Sequence, residues 1–330
     1  LWKMQAQMLY APMRRGQWGI EFGEMSEDYG HAGEGTLFEN SISSLFFKKL
    51  RKNFIRFYER RFVYLKHSID LANGLTFTAE EKYEKRSLLR NHISKKNIEP
   101  NEPVLEGGVN MPENKSLTVG VRLEYTPFYY FTVQDQLKVY DHSTWPTFSL
   151  GYTIGLPADA PHTSRFQRLD LGVKQTIKLG LFDYLSYTVN AGQFLSRKEI
   201  YFPDYMHFTT IGWLYSADRF SEDFFLGQYY SWHTKDKWLR GAVNYTSPFL
   251  FLKRLPFMQN LMFDEGIHGR YLWTPEIGNY VECGYSIGLQ EYTRFGVFAG
   301  FNRHGYQEIK IRLALPLRLK EVKKIIRNYK

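Results

Sequence analysis

Gly284-Tyr285-Ser286-Ile287-Gly288 has the spacing of a nucleophile elbow, the motif that presents a serine beside a base. That chemistry needs a sharp strand-to-helix turn. Here the five residues sit inside an alternating run, and no helical pattern follows. The sequence therefore predicts a strand at this place, and no enzyme. The nine histidines (His31, His67, His92, His142, His162, His207, His233, His268 and His304) show no short ligand spacing. His67 lies on the apolar side of its run, where packing is the expected role. Gly30, Gly33 and Gly35, with His31 and Glu34, do not follow the order of a dinucleotide or P-loop fingerprint and read as a flexible loop. A lone Cys283 allows no internal disulfide and no cysteine-rich zinc site. No catalytic, cofactor-binding or metal set is expected, and no cofactor.

The elements that carry these residues are defined by period-two patterning. In 167–179, Leu169, Leu171, Val173, Ile177 and Leu179 face one way, and Arg168, Asp170, Gly172, Lys174, Thr176 and Lys178 the other. Val63 to Leu71, Leu117 to Tyr125, Phe148 to Ile154 and Leu185 to Ala191 alternate in the same manner. So do Leu239 to Tyr245, Val281 to Leu289, Phe295 to Phe301 and Ile309 to Leu315. Weaker runs lie near 3–10, 17–23, 75–83, 206–215, 224–233 and 262–273. Together they predict about 14–16 antiparallel strands of roughly 9–11 residues, the length a membrane strand needs. Asn73-Gly74 is a type I′ hairpin signal, and the tight connections contrast with longer polar ones at 87–116 and 155–166.

Two stretches break this rhythm. Residues 38–55 place Ile42, Leu45, Phe46, Leu50 and Phe54 at helical spacing, and Leu319, Val322, Ile326 and Tyr329 repeat the pattern in a basic C-terminal tail, 317–330. Each reads as a short amphipathic helix, either at a membrane interface or packed on protein. The expected organisation is one barrel over 1–316, with a helical insertion about 38–55, and the tail.

Composition narrows the class. The chain has 330 residues, 43% hydrophobic and 17% aromatic, too much apolar material for disorder. No run of 18 apolar residues exists for a transmembrane helix. The +9 charge is dispersed, with its densest cluster at Lys48 to Arg61, and no nucleic-acid-binding motif accompanies it. Anionic lipid is the better match. The chain opens at Leu1 without a signal-peptide pattern, which fits a removed leader or, as we expect, a piece of a longer protein.

Three features favour a transmembrane barrel over a soluble β protein. Charged residues on the polar side of the strands suit a wet lumen: Arg122, Glu124, Arg168, Lys174, Lys178, Glu282, Lys310 and Arg312. Aromatics gather near strand ends, at Phe128 to Phe131, Tyr229, Tyr230, Trp232, Phe249, Phe251, Tyr271 and Trp273, as in interfacial girdles. So many antiparallel strands also leave two exposed edges unless the sheet closes.

Several segments carry a resemblance. They are Asn73-Gly74-Leu75, Tyr201-Phe202-Pro203-Asp204 leading to His207-Phe208, and Tyr229-Tyr230-Ser231. Further on come Phe251-Leu252-Lys253-Arg254-Leu255-Pro256, Asn279 to Gly284 and Gly296 to Phe301. In order, over about 55–316, they resemble the C-terminal region of a Bacteroidota outer-membrane family of unknown function. Longer members of it carry an N-terminal carboxypeptidase-regulatory-like domain. Its barrel is similar to the surface-antigen superfamily that includes BamA and TamA. The lumen motif of that superfamily is an Arg-Gly-aromatic tripeptide, and the nearest string here, Gly269-Arg270-Tyr271, has the order altered. The resemblance implies an all-β transmembrane barrel in a bacterial outer membrane. Its implied role is protein insertion or translocation; the alternative is a scaffold or accessory subunit of a larger transport or secretion complex. A pore or lumenal enzyme is the third class. The expected partners are outer-membrane lipid and lipopolysaccharide and other outer-membrane proteins, with no nucleic acid.

Overall fold

The computed structural model describes residues 2–29, 57–88, 111–158, 160–210, 215–216, 220, 224–227, 232–248, 250–256, 263–289 and 293–314. The wall is a meander. It begins with β1 (Trp2–Ala11), β2 (Gly16–Asp28), β3 (Phe57–Ala72), β4 (Leu75–Leu88) and β5 (Asn114–Tyr125). A small hairpin follows, β6 (Phe131–Gln134) with β7 (Leu137–Tyr140), then β8 (Thr147–Leu156), β9 (Arg165–Lys178) and β10 (Tyr184–Glu199). After three two-residue pieces, β11 (Met206–His207), β12 (Tyr215–Ser216) and β13 (His233–Thr234), the wall resumes. Its last strands are β14 (Lys237–Ser247), β15 (Asp264–Thr274), β16 (Gly278–Leu289), β17 (Thr293–Asn302) and β18 (Gly305–Ala314).

The main sheet has fourteen strands in the order β1-β2-β3-β4-β5-β8-β9-β10-β14-β15-β16-β17-β18-β12. All neighbours are antiparallel except β12, which adds to the far side of β18 in parallel. Thirteen alternating strands therefore form the wall, and its first and last, β1 and β18, run in the same direction. Among the described residues these two are not paired with each other.

Register carries the sequence alternation across every strand. On one face, Arg122 lies beside Gly151, Lys174 beside Thr147 and Thr188, and Glu282 beside Arg270 and Gly300. On the other, Val189 lies beside Val173 and Gly241, and Val281 beside Tyr271 and Phe301. This second face stays open to the surroundings: Trp2, Met8, Trp18, Val121, Leu150, Leu171, Val189, Val243, Phe295 and Ile311 are all exposed. The main hydrophobic core instead sits against the polar face, where Phe220, Phe224, Phe225 and Leu226 pack with Trp238, Leu272, Tyr280 and Phe298.

Several expectations are corrected. The runs at 206–215 and 224–233 are not wall strands. Phe224, Phe225 and Leu226 are buried in succession, as in a segment enclosed on all sides, so period two cannot hold there. The hairpin at Asn73-Gly74 is not type I′, which needs positive φ at both residues; only Gly74 has it, at +74°. Short and long connections do not separate cleanly by end. The 126–146 connection lies at the Asn73-Gly74 end and is long because it folds back as β6 and β7. Helical pieces among the described residues are three 3-10 turns, Pro12–Arg14, Phe202–Asp204 and Leu252–Arg254. The amphipathic stretches at 38–55 and 317–330, and the glycine tract at Gly30 to Gly35, lie outside the described residues.

Candidate functional site

Between β10 and β14, Phe220 and residues 224–227 lie on the polar face and are held there by wall side chains that bond their main chain. Glu282 accepts the N–H groups of Phe225 (2.9 Å) and Leu226 (3.0 Å), and Tyr280 donates its hydroxyl to the same carboxylate at 3.0 Å. Glu308 accepts the N–H of Gly227 at 2.7 Å. Arg312 Nε donates to the carbonyl of Phe225 at 2.8 Å, and Arg270 Nη2 to that of Phe220 at 2.6 Å. Buried backbone groups that lack a sheet partner need such acceptors and donors. Glycines make room for the segment: a Cβ on Gly300 would lie 2.7 Å from Leu226 Cδ1, and one on Gly296 2.9 Å from the Phe220 ring. These residues plug the polar face, and β12, in the same stretch of chain, pairs with the edge of β18.

A second clamp holds the start of the plug. Arg86, on β4, bonds Glu84 through Nε (2.8 Å) and Asp204 through Nη1 (2.6 Å). Asp204 also accepts from Ser164 Oγ (2.6 Å) and the N–H of Tyr201 (3.2 Å). Glu84 is fully buried, and it is further paired with Arg60 at 2.7 Å and Lys82 at 2.8 Å. Asp204 lies in the turn after β10, so this contact carries that turn across the polar face to β4, four places away from β10 in the sheet. In the same loop, burial and the bond to Glu199 push the Tyr201 phenol above its ordinary range; burial and the Asp204 charge do so for Tyr205.

At the opposite end the polar face is open. A cavity of about 740 Å³ is lined by Gln7, Arg15, Thr76, Glu124, Lys138 and Lys174, among others. It adjoins one of about 440 Å³ through shared walls at Thr126, Tyr129, Thr147 and Lys174. Buried Asp70 anchors the β6–β7 hairpin over this opening by accepting from Tyr140 Oη (2.8 Å) and Thr76 Oγ1 (2.9 Å), with Lys138 Nζ at 3.4 Å.

The eight residues singled out from sequence all fall on the polar face by register, but not in one cluster. Glu282 and Arg312 are buried at the plug. Lys310 is half-buried and pairs with Glu308 at 2.7 Å. Lys174 and Glu124 line the open cavity, and Arg168 pairs with Asp170 at 3.0 Å. Arg122 and Lys178 are exposed. Sequence reasoning met Arg270 only within the Gly269-Arg270-Tyr271 string and gave no site role to Glu308, Glu84, Arg86, Asp204 or Asp70. Arg270, Glu84 and Arg86 occupy polar positions of alternating runs, a signal that was present; Asp204 lies in a turn and carries none. His67 faces the apolar side, where its Nε2 meets Tyr10 Oη at 2.7 Å and its ring lies 4.3 Å from that of Trp18.

No curated protein matches the chain. Among solved structures it is similar to Wzi of Escherichia coli, described as an outer membrane protein involved in group 1 capsule assembly and a carbohydrate-binding β-barrel. Identity is 10%, the TM-score is 0.40, and the match covers 90% of this chain and 53% of that one. The chain thus spans about half the length of that structure. Among families, a model matches residues 1–287, well over half of the sequence, and by that match the chain belongs to the family of unknown function (DUF5686) C-terminal domain.

Proposed function

We propose that this chain forms a β-barrel in a bacterial outer membrane, apolar face to lipid and lipopolysaccharide, and serves as a protein insertion or translocation component. The membrane reading is supported by the open apolar face. An aqueous protein does not leave so many large apolar side chains exposed along thirteen strands, whereas hydrocarbon requires them there and requires every backbone group to be paired within the sheet. Among the described residues no helix is long and apolar enough to cross a membrane; strands cross without one.

The observation that carries the functional reading is the placement of β12. Among the described residues, the edge of β18 away from β17 is paired at Leu313 and Ala314 alone, with two residues of the plug. An edge strand is a template for pairing with another strand. One held by a short, replaceable bridge can accept an incoming strand when the plug yields.

The test is to lock that bridge. In a Cys283→Ser background, Ser216→Cys with Ala314→Cys places two thiols at directly paired positions. Oxidation should impair assembly of other outer-membrane proteins in cells, and reduction should restore it. Unchanged assembly with the lock closed would sink the insertion reading. Co-purification with a transport or secretion machine, indifferent to the lock, would instead favour the scaffold role. The barrel itself should show different gel mobility before and after boiling; identical mobility, with full solubility lacking detergent, would refute the membrane reading.

A further inference from the structure

Ser286, set aside in the sequence because its motif lies in a strand, has a base and an orienting group beside it. His268 Nε2 lies 2.7 Å from Ser286 Oγ, and His268 Nδ1 lies 2.8 Å from Asn244 Oδ1. These residues come from three adjacent strands, β16, β15 and β14. Asn244 Nδ2 donates to Ser186 Oγ at 3.5 Å, which turns Oδ1 toward the imidazole. With Oδ1 facing it, Nδ1 of the neutral imidazole carries the proton, and the serine hydroxyl then donates to Nε2. Arg294 Nη1 donates to Ser286 Oγ at 2.9 Å, occupying the acceptor side of that oxygen. This is the arrangement of a nucleophile, its general base and the group that fixes the base's tautomer.

The site is sealed. Ser286 is fully buried, and the Phe220 ring of the plug stands edge-on to His268 at 5.9 Å between centroids. Arg270 holds Phe220 in place through the carbonyl bond described above. The geometry points to a latent serine esterase on the polar face of the sheet, with Ser286 as nucleophile, His268 as general base, Asn244 as positioning residue and the Phe220 ring as its cover.

When the plug withdraws, a carboxylic ester can reach Oγ. Oγ bonds the carbonyl carbon as its proton passes to His268 Nε2, and the guanidinium of Arg294, bonded to Oγ and paired with Asp264, supplies positive charge beside the reacting centre. Collapse breaks the bond to the alcohol, which takes the proton from His268. Water then attacks the acyl group by the same route, which releases the acid and restores the serine. No further reactant is required.

The test uses the full chain in detergent micelles, a biotinylated fluorophosphonate and identification of the labelled peptide. Attack of Oγ on phosphorus expels fluoride and leaves a stable adduct on Ser286. Wild type should label slowly, and Phe220→Ala and Arg270→Ala should label at least about tenfold faster. Ser286→Ala should abolish the adduct, and His268→Gln should slow it about 100-fold or more, as loss of a general base does. Asn244→Leu should also lose labelling, and Asn244→Asp should regain it, which a purely structural role for Asn244 would not produce. Each variant is checked for the heat-dependent gel shift, so loss of folding is separated from loss of chemistry. Absence of a Ser286 adduct in Phe220→Ala and Arg270→Ala proteins that keep their gel shift would overturn the proposal.

Discussion

The carboxylate of Glu282 accepts the backbone N–H groups of both Phe225 and Leu226, at 2.9 and 3.0 Å. A wall residue thus bonds the plug's main chain, beside the packing of the plug's Phe and Leu side chains on the wall. Removing the acceptor leaves two buried N–H groups unpaired, at about 1–3 kcal/mol each. Glu282→Ala is expected to lower stability to urea and to produce conductance bursts in planar bilayers that the parent lacks. A silent, equally stable variant would show that the plug is held elsewhere.

Arg86 separates two buried carboxylates, Glu84 and Asp204. Arg86→Met should destabilise the fold by about 3–5 kcal/mol, because breaking a buried pair from one side strands the opposite charge. The midpoint of urea unfolding in micelles reads this, and Arg86→Lys should recover part of the loss.

Adjacent residues of β10 test which face meets lipid. Val189→Arg should cost about 2–4 kcal/mol in folding into vesicles, the range for a cation on the lipid side of a barrel. Thr188→Arg points into the 440 Å³ cavity and should cost less than about 1 kcal/mol. Equal costs would contradict the assignment of faces.

Gly74 has φ +74°, and a Cβ there would lie 2.1 Å from the carbonyl oxygen of Thr126. Since the contact is with backbone, the turn itself must move. Gly74→Ala should lower stability by more than about 1 kcal/mol, while Asn73→Ala, which loses only the bond to the Tyr129 carbonyl, should be milder.

Alkaline pH should weaken the loop after β10. The phenols of Tyr201 and Tyr205 hold their protons more tightly in the folded loop than in the unfolded chain. Their contribution is complete below the unfolded value of about 10 and is lost as pH rises toward the higher folded values. Tyr201→Phe with Tyr205→Phe should flatten the alkaline limb of a stability profile. An unchanged limb would place the sensitivity elsewhere.

How much of this was legible varies with the kind of information each feature needs. The strand Val281 to Leu289 was plain from its alternation, as were its neighbours, because side-chain direction in a strand is a local property with period two. The same alternation put Glu282 and Arg312 on the polar face. It could not tell that both hold the plug while Arg122 and Lys178 stay exposed, since all four occupy equivalent positions in their runs.

The sequence by itself determined the two-faced strands, and with them an apolar surface and a polar one. Tertiary structure alone decided the rest. Asn244, His268 and Ser286 meet because register stacks three strands, and Phe225 and Leu226 meet Glu282 because the chain between β10 and β14 returns to the polar face. Those contacts join residues far apart in the chain, and no local pattern encodes which of them will touch.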